Sequence, residues 1–259
     1  MRGERCSAHP TTIRAVQLPA PFEPVGDHIG IALPGGRALF TTRRGGVSEG
    51  AYASLNLGRW TDDDADAVDR NRHILADTIG VPLEAVVQGR QVHGSRVERI
   101  AGGPAPGREA PEVDGVAVSA TGAAALVLTA DCLPVALIAP NAVAMLHAGW
   151  RGLADGVLEE GVDAVRELGG DGDIQAAIGP GAGGCCYEVG PEVHAAFGRE
   201  PKRAPIDLKA IARERLTAAG VAQVHDAGLC TICSDPALFF SHRRDGGLTG
   251  RQAGIAWRS

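Results

Sequence analysis

The sequence predicts an α/β (α+β) fold, a single mixed-sheet layered domain. Three observations lead there. Short apolar runs bounded by glycine and proline are interspersed with stretches of helical period, without the strict strand–helix alternation of an all-parallel sheet. No internal repeat, heptad or low-complexity tract is present, and no linker-like composition divides the chain. The expected organisation is a loose N-terminal leader over residues 1–27 and one domain over 28–259.

The elements follow in chain order. Residues 1–27 are rich in proline, arginine and small side chains. "HIGIALPGGRALFTTRRGGVS" (28–48) reads as two strands around a Pro-Gly-Gly turn. Within 62–80, Ala65, Val68, Ile74, Leu75 and Ile79 recur at near-helical spacing between an acidic start and Gly80, which predicts a helix. "EAVVQGRQVHGSRVERI" (84–100) alternates like a strand, and 101–112 is a loop. "ADCLPVALIAPNAVAMLHAGWRG" (130–152) holds two apolar strands joined by Pro140-Asn141. A helix over 153–168 is closed by Gly169-Gly170. "DIQAAIGPGAGGCCYEVG" (173–190) is a short strand breaking into a glycine-rich loop. Helices are expected over 191–198 and 207–221, the latter with Leu208, Ile211, Leu216 and Val221 on one side. A loop rich in basic residues and a closing strand end the chain.

The net charge of −6 comes from 31 acidic and 25 basic residues with no Lys/Arg tract of five. That excludes a nucleic-acid binder working by phosphate neutralisation, though not small anions held by a few arginines. The N-terminal stretch has no signal-peptide apolar block and no apolar run is long enough to span a bilayer, so the expectation is a cytoplasmic protein with no membrane partner. Six cysteines in 259 residues are too sparse for a disulfide scaffold and read as thiols or ligands.

Cys132 lies near the start of the first strand of the predicted hairpin and His147 at the end of the second. With a two-residue turn at Pro140-Asn141, His147 faces Pro134 and Cys132 faces Gly149, which puts both side chains on one face as diagonal neighbours roughly 5–8 Å apart at the backbone. Three readings are then open: a buried pair without chemistry, a Cys/His nucleophilic dyad, or two ligands of a metal. His93, in "QVHG", supplies a third ligand for the last. Two imidazoles and a thiolate leave a zinc ion net positive, with a fourth position open. Of the other histidines, His242 stands out for its arginine neighbours. "CTIC" (230–233) is a lone CxxC read as a redox or packing element, and the adjacent Cys185 and Cys186 would bond each other only under strain.

"TTRRGGVSEGAYASLNLG", "QVHG", "ADCLPV", "HAGWRG", "IGPGAGGCCYEVG", "DLKAIARERL" and "FFSHRRDGGLTGRQAGIAW" together resemble the YfiH-type family, also called laccase-domain proteins, polyphenol oxidoreductases or purine nucleoside phosphorylases. The resemblance runs from about residue 28 to the end. It implies a layered fold of the cytotoxic-necrotizing-factor catalytic-domain type and one Zn2+ per chain on His93, Cys132 and His147. It also implies phosphorolysis of adenosine, inosine, guanosine and methylthioadenosine, with adenosine deamination, in a monomer or homodimer. Candidate substrate residues are Arg43, Asn56, Gln91 and Arg244, with Arg44, Arg243 and Arg251 as further phosphate forks. Asp131 and Asp114 are candidates for proton transfer or for orienting the ligands. The alternative is a cysteine hydrolase or amidase using Cys132 and His147, peptidoglycan-precursor editing included. A multicopper centre fits poorly with eight scattered histidines.

Overall fold

The computed structural model describes residues 11–103, 110–170 and 172–258. The strands are β1 Glu23–Val25, β2 His28–Leu33, β3 Gly36–Phe40, β4 Val86–Gln88, β5 Val97–Ile100, β6 Gly115–Val118, β7 Ala124–Thr129, β8 Leu133–Ile138, β9 Val143–Ala148, β10 Gln175–Ile178, β11 Glu188–Val189, β12 Ala204–Pro205, β13 Gln223–Asp226 and β14 Gln252–Arg258. The helices are α1 Ala65–Ile79, α2 Trp150–Ala154, α3 Val157–Glu167, α4 Pro191–Ala196 and α5 Leu208–Ala218.

Two six-stranded sheets carry the architecture, ordered β1-β2-β3-β14-β7-β4 and β13-β10-β8-β9-β6-β5. Both are mixed: β4 runs parallel to β7, β5 to β6 and β13 to β10, while the other neighbours are antiparallel. The sheets pack face to face, with Ile31, Phe40 and Val127 meeting Val116, Ile138 and Met145. The outer face of the second sheet lies under α3 and α5 through Leu158, Val162, Ile211 and Leu216. The outer face of the first is covered by Leu75 of α1 with Leu55 and Leu57. The result is four layers, helix–sheet–sheet–helix. Every residue of β7, β8 and β9 is buried, which is why these segments are continuous apolar runs rather than alternating ones.

Local signals set the element ends. The Asp64 side chain accepts from the Ala67 N–H to cap α1, and Gly80 closes it at φ 69. Asp207 caps α5 in the same way through the Ala210 N–H. The β8–β9 hairpin has the expected register, with Pro134 opposite His147 and the Ala139 N–H bonded to the Ala142 carbonyl across Pro140-Asn141.

The layered mixed-sheet fold is as expected, built from two sheets. Three further expectations are corrected. The strand-like 84–100 is two short strands in different sheets, because the chain crosses between them at Gly89–Arg96. The helix expected over 153–168 is α2 and α3, separated at Gly156, whose φ of 94 no helix accommodates. The described part of the leader is not loose: Ile13 is fully buried, Phe22 packs on Phe40, and β1 pairs with β2. Residues 1–10, and 104–109 of the predicted loop, lie outside the described residues. Among the described residues no helix is long and apolar enough to cross a membrane.

Candidate functional site

The hairpin register carries Cys132, just before β8, and His147, near the end of β9, to one end of the second sheet. The Gly89–Arg96 crossing brings His93 over the same point, with its backbone at φ 62. The ligating atoms of His93, Cys132 and His147 lie within 4.8 Å of one another. The two imidazoles meet edge to face, with ring centroids 4.9 Å apart.

Asp114, fully buried just before β6, organises this group. Its Oδ1 accepts from His147 Nδ1 at 2.8 Å and from the His93 N–H at 2.9 Å. Its Oδ2 accepts from the N–H groups of Gly94 at 2.7 Å and Val92 at 3.1 Å. One carboxylate therefore fixes the His93 loop and, by engaging Nδ1, leaves Nε2 of His147 to act as a ligand. These donors hold the Asp114 carboxyl below the usual range, against the opposing effect of burial.

Burial would push the Cys132 thiol up, but the charge and hydrogen bonds of His147 and His93 bring it down to about 6. Burial would lower His147, but Cys132 and Asp114 raise it to about 9. Both shifts describe one coupled pair, each group favouring the charged form of the other, and a metal ion on the thiolate would take the place of the imidazole's proton. Gly149 keeps the site open: its φ of −71 suits any residue, yet a Cβ there would lie 3.1 Å from Cys132 Sγ and 3.2 Å from His93 Cδ2.

A cavity of about 560 Å³ opens in front of the three side chains, with Trp60, Trp150 and Tyr187 on its walls beside Arg151, Arg243 and Arg251. His242 and Asp131 also line it. Two imidazoles and a stabilised thiolate, exposed to this cavity on one side and braced by a carboxylate on the other, form a donor set able to hold a metal ion.

The remaining expected residues fall elsewhere or are already engaged. Asp131, at φ 93, accepts from the Thr231 hydroxyl at 2.6 Å and the Arg243 N–H at 2.7 Å, so its carboxylate anchors the C-terminal loop. The Gln91 amide reaches the cavity wall but is spent on the Leu128 backbone, donating to its carbonyl and accepting from its N–H, each at 2.8 Å. Asn56 is fully buried, donating to Thr61 and Asp63 while its oxygen accepts from the N–H groups of Gly58 and Arg251. Arg43 lies over the Phe240 ring at 4.4 Å and donates to the Ala53 and Pro236 carbonyls. Arg244 donates to the Thr231 and Phe239 carbonyls and pairs with Asp245. Arg43, Asn56 and Arg244 are thus fasteners of loops rather than cavity residues. An arginine in a glycine-rich loop has the same sequence signature whether it binds phosphate or a carbonyl.

Arg151, Trp150 and Tyr187 were missed as cavity residues. The available signal was position, since "HAGWRG" starts a helix immediately after the strand that carries His147. Arg151 packs on the Trp150 ring at 4.3 Å, and Arg243 lies 5.1 Å from the Tyr187 ring.

Residues 37–259 match the family model described as multi-copper polyphenol oxidoreductase laccase. A protein of Xylella fastidiosa named purine nucleoside phosphorylase is 43% identical over 246 residues, covering 86% of this chain and 93% of its own. One of Geobacillus stearothermophilus named purine nucleoside phosphorylase YlmD is 38% identical, covering 86% of this chain and 90% of its own. The crystal structure of YlmD from that organism superposes with a TM-score of 0.84 at 34% identity, covering 93% of this chain and 99% of that one. The Bacillus licheniformis protein YfiH superposes with a TM-score of 0.81 at 29% identity, covering 93% and 100% of the two chains. With most of its length matched in sequence and in fold, the chain belongs to the laccase-domain polyphenol oxidoreductase family, whose curated members include proteins named purine nucleoside phosphorylase.

Proposed function

We propose that the chain is a purine nucleoside phosphorylase that binds one zinc ion at His93, Cys132 and His147 and that also deaminates adenosine. The observation that carries this reading is the three-donor group at the floor of a cavity whose volume suits a small ligand and whose walls combine aromatic rings with three arginines. The names of the relatives point to the same substrates.

The division of labour follows from the chemistry of the walls. Trp60, Trp150 and Tyr187 offer faces to a purine ring. Arg151, Arg243 and Arg251 supply the positive charge and forked donors that a phosphate requires. Zinc held at the floor supplies a Lewis-acidic positive charge. In phosphorolysis, a phosphate oxygen bonds to the sugar C1′ as the C1′–purine nitrogen bond breaks. The purine keeps that electron pair and takes a proton. We assign that proton to His242, a side chain that lines the cavity. Asp114 holds the ligand imidazole and the His93 loop in place and takes no part in proton transfer.

The test is a panel of adenosine, inosine, guanosine and methylthioadenosine, each with and without inorganic phosphate. Free purine and sugar 1-phosphate in equal amounts, only with phosphate, are the expected products, and ammonia is expected from adenosine. Absence of turnover on all four nucleosides refutes the proposal.

A further inference from the structure

A second group of ligand side chains lies outside the cavity residues. Cys185 and Cys186, in the glycine-rich loop after β10, meet Cys230 and Cys233 of "CTIC", and all four Sγ atoms lie within 4.8 Å of one another. The sequence presents a vicinal pair and a lone CxxC. The fold joins them, because Gly181 forms a parallel bridge with Cys230 and its carbonyl accepts from the Thr231 N–H at 3.1 Å.

Distances discriminate among occupants. Four thiolates at about 2.3 Å around a tetrahedral zinc ion sit about 3.8 Å from one another, and Cys185 Sγ lies 3.6 Å from Cys233 Sγ. A disulfide would bring two sulfurs to about 2.05 Å. A [4Fe–4S] cluster spreads its cysteines further, because each binds a different iron, and a [2Fe–2S] cluster separates them into two pairs on two irons.

The surroundings of Cys230 favour a thiolate ligand. The Gly183 N–H donates to Cys230 Sγ at 3.2 Å, and the backbone N–H groups of Ile232 and Cys233 bond the same sulfur. A Cβ at Gly183 would come within 3.3 Å of Cys185 Sγ and 3.4 Å of Cys230 Sγ, so glycine preserves the space among the sulfurs.

We propose that Cys185, Cys186, Cys230 and Cys233 bind a second zinc ion as a tetrathiolate, distinct from the His93–Cys132–His147 centre, and that this ion fastens two loops of the cavity wall. Cys186 precedes Tyr187 on that wall. Thr231, inside the "CTIC" turn, donates its hydroxyl to Asp131 beside Cys132. Binding is ligand exchange without redox change: each thiol that binds releases its proton to solvent, and the ion gives up its waters.

The experiment is native mass spectrometry with metal analysis on the full chain, on Cys230→Ser/Cys233→Ser and on His93→Ala/Cys132→Ala. Two zinc ions per chain are expected in the parent and one in each double variant. Co2+ added to His93→Ala/Cys132→Ala, which lacks the first centre's thiolate, should give strong thiolate-to-cobalt charge-transfer absorption that saturates at one ion per chain. Equal zinc in the parent and Cys230→Ser/Cys233→Ser overturns the proposal, as does a metal-free chain with disulfides among these cysteines. Should Cys230→Ser/Cys233→Ser fail to fold, the cobalt titration decides, and absence of that absorption refutes the site.

Discussion

At the residue scale, the candidate centre depends on side chains that are not themselves ligands. Asp114 contributes both carboxylate oxygens to four donors, three of them backbone N–H groups of Val92, His93 and Gly94. Asp114→Asn replaces one acceptor oxygen with a donor, so two of these bonds are lost: either those of His147 and His93 or those of Val92 and Gly94, which hold the His93 loop. Zinc affinity at this centre is expected to fall about 10- to 100-fold, as for other partners that orient metal-ligating histidines. Competition with a chromogenic chelator checks this, and unchanged affinity contradicts the role. Gly149 gives a steric counterpart. Gly149→Ala has a permitted backbone but places a methyl group against Cys132 and His93. Loss of zinc from this centre without loss of the folded circular-dichroism signal is the expected outcome. Cys132 and His147 were legible as neighbours because strand alternation fixes faces. Asp114's role was not, because backbone N–H groups leave no trace in a sequence.

At the element scale, the loop between Cys230 and Arg251 forms one wall of the cavity, and Arg244 is its main internal fastener. Sequence reasoning placed Arg244 on substrate, whereas its guanidinium is occupied by the Thr231 and Phe239 carbonyls and Asp245. Arg244→Ala is therefore expected to cost stability, about 1–3 kcal/mol from orphaned buried acceptors, read by urea denaturation. The KM for phosphate should change less in this variant than in Arg151→Ala or Arg251→Ala, whose side chains line the cavity. The reverse ranking contradicts the assignment. The hairpin was readable because two continuous apolar runs flanked a turn dipeptide. The path from β4 to β5 was not, since alternation over 84–100 hides a crossing between sheets, where Gly89 leaves no room for a Cβ beside Val113 and His93 takes a positive φ.

At the scale of the whole molecule, the two-sheet core positions the site. Both hairpin strands that carry it are buried on both faces, between α3 and the first sheet. Phe40 is 1% exposed in the inter-sheet core, so Phe40→Ala is expected to cost about 3–5 kcal/mol. The folded fraction should still bind zinc at the proposed centre. The helix–strand mixture and the class of the fold were readable from periodicity. Division into two sheets was not, because apolar runs record burial and not which strand pairs with which. The central claim, a zinc centre on His93, Cys132 and His147 that drives phosphorolysis, is tested most directly by following purine and sugar 1-phosphate release while a chelator strips the metal and measured zinc is returned. The rate should fall with zinc content and recover on its return. Full turnover of nucleosides by the metal-free chain would contradict it.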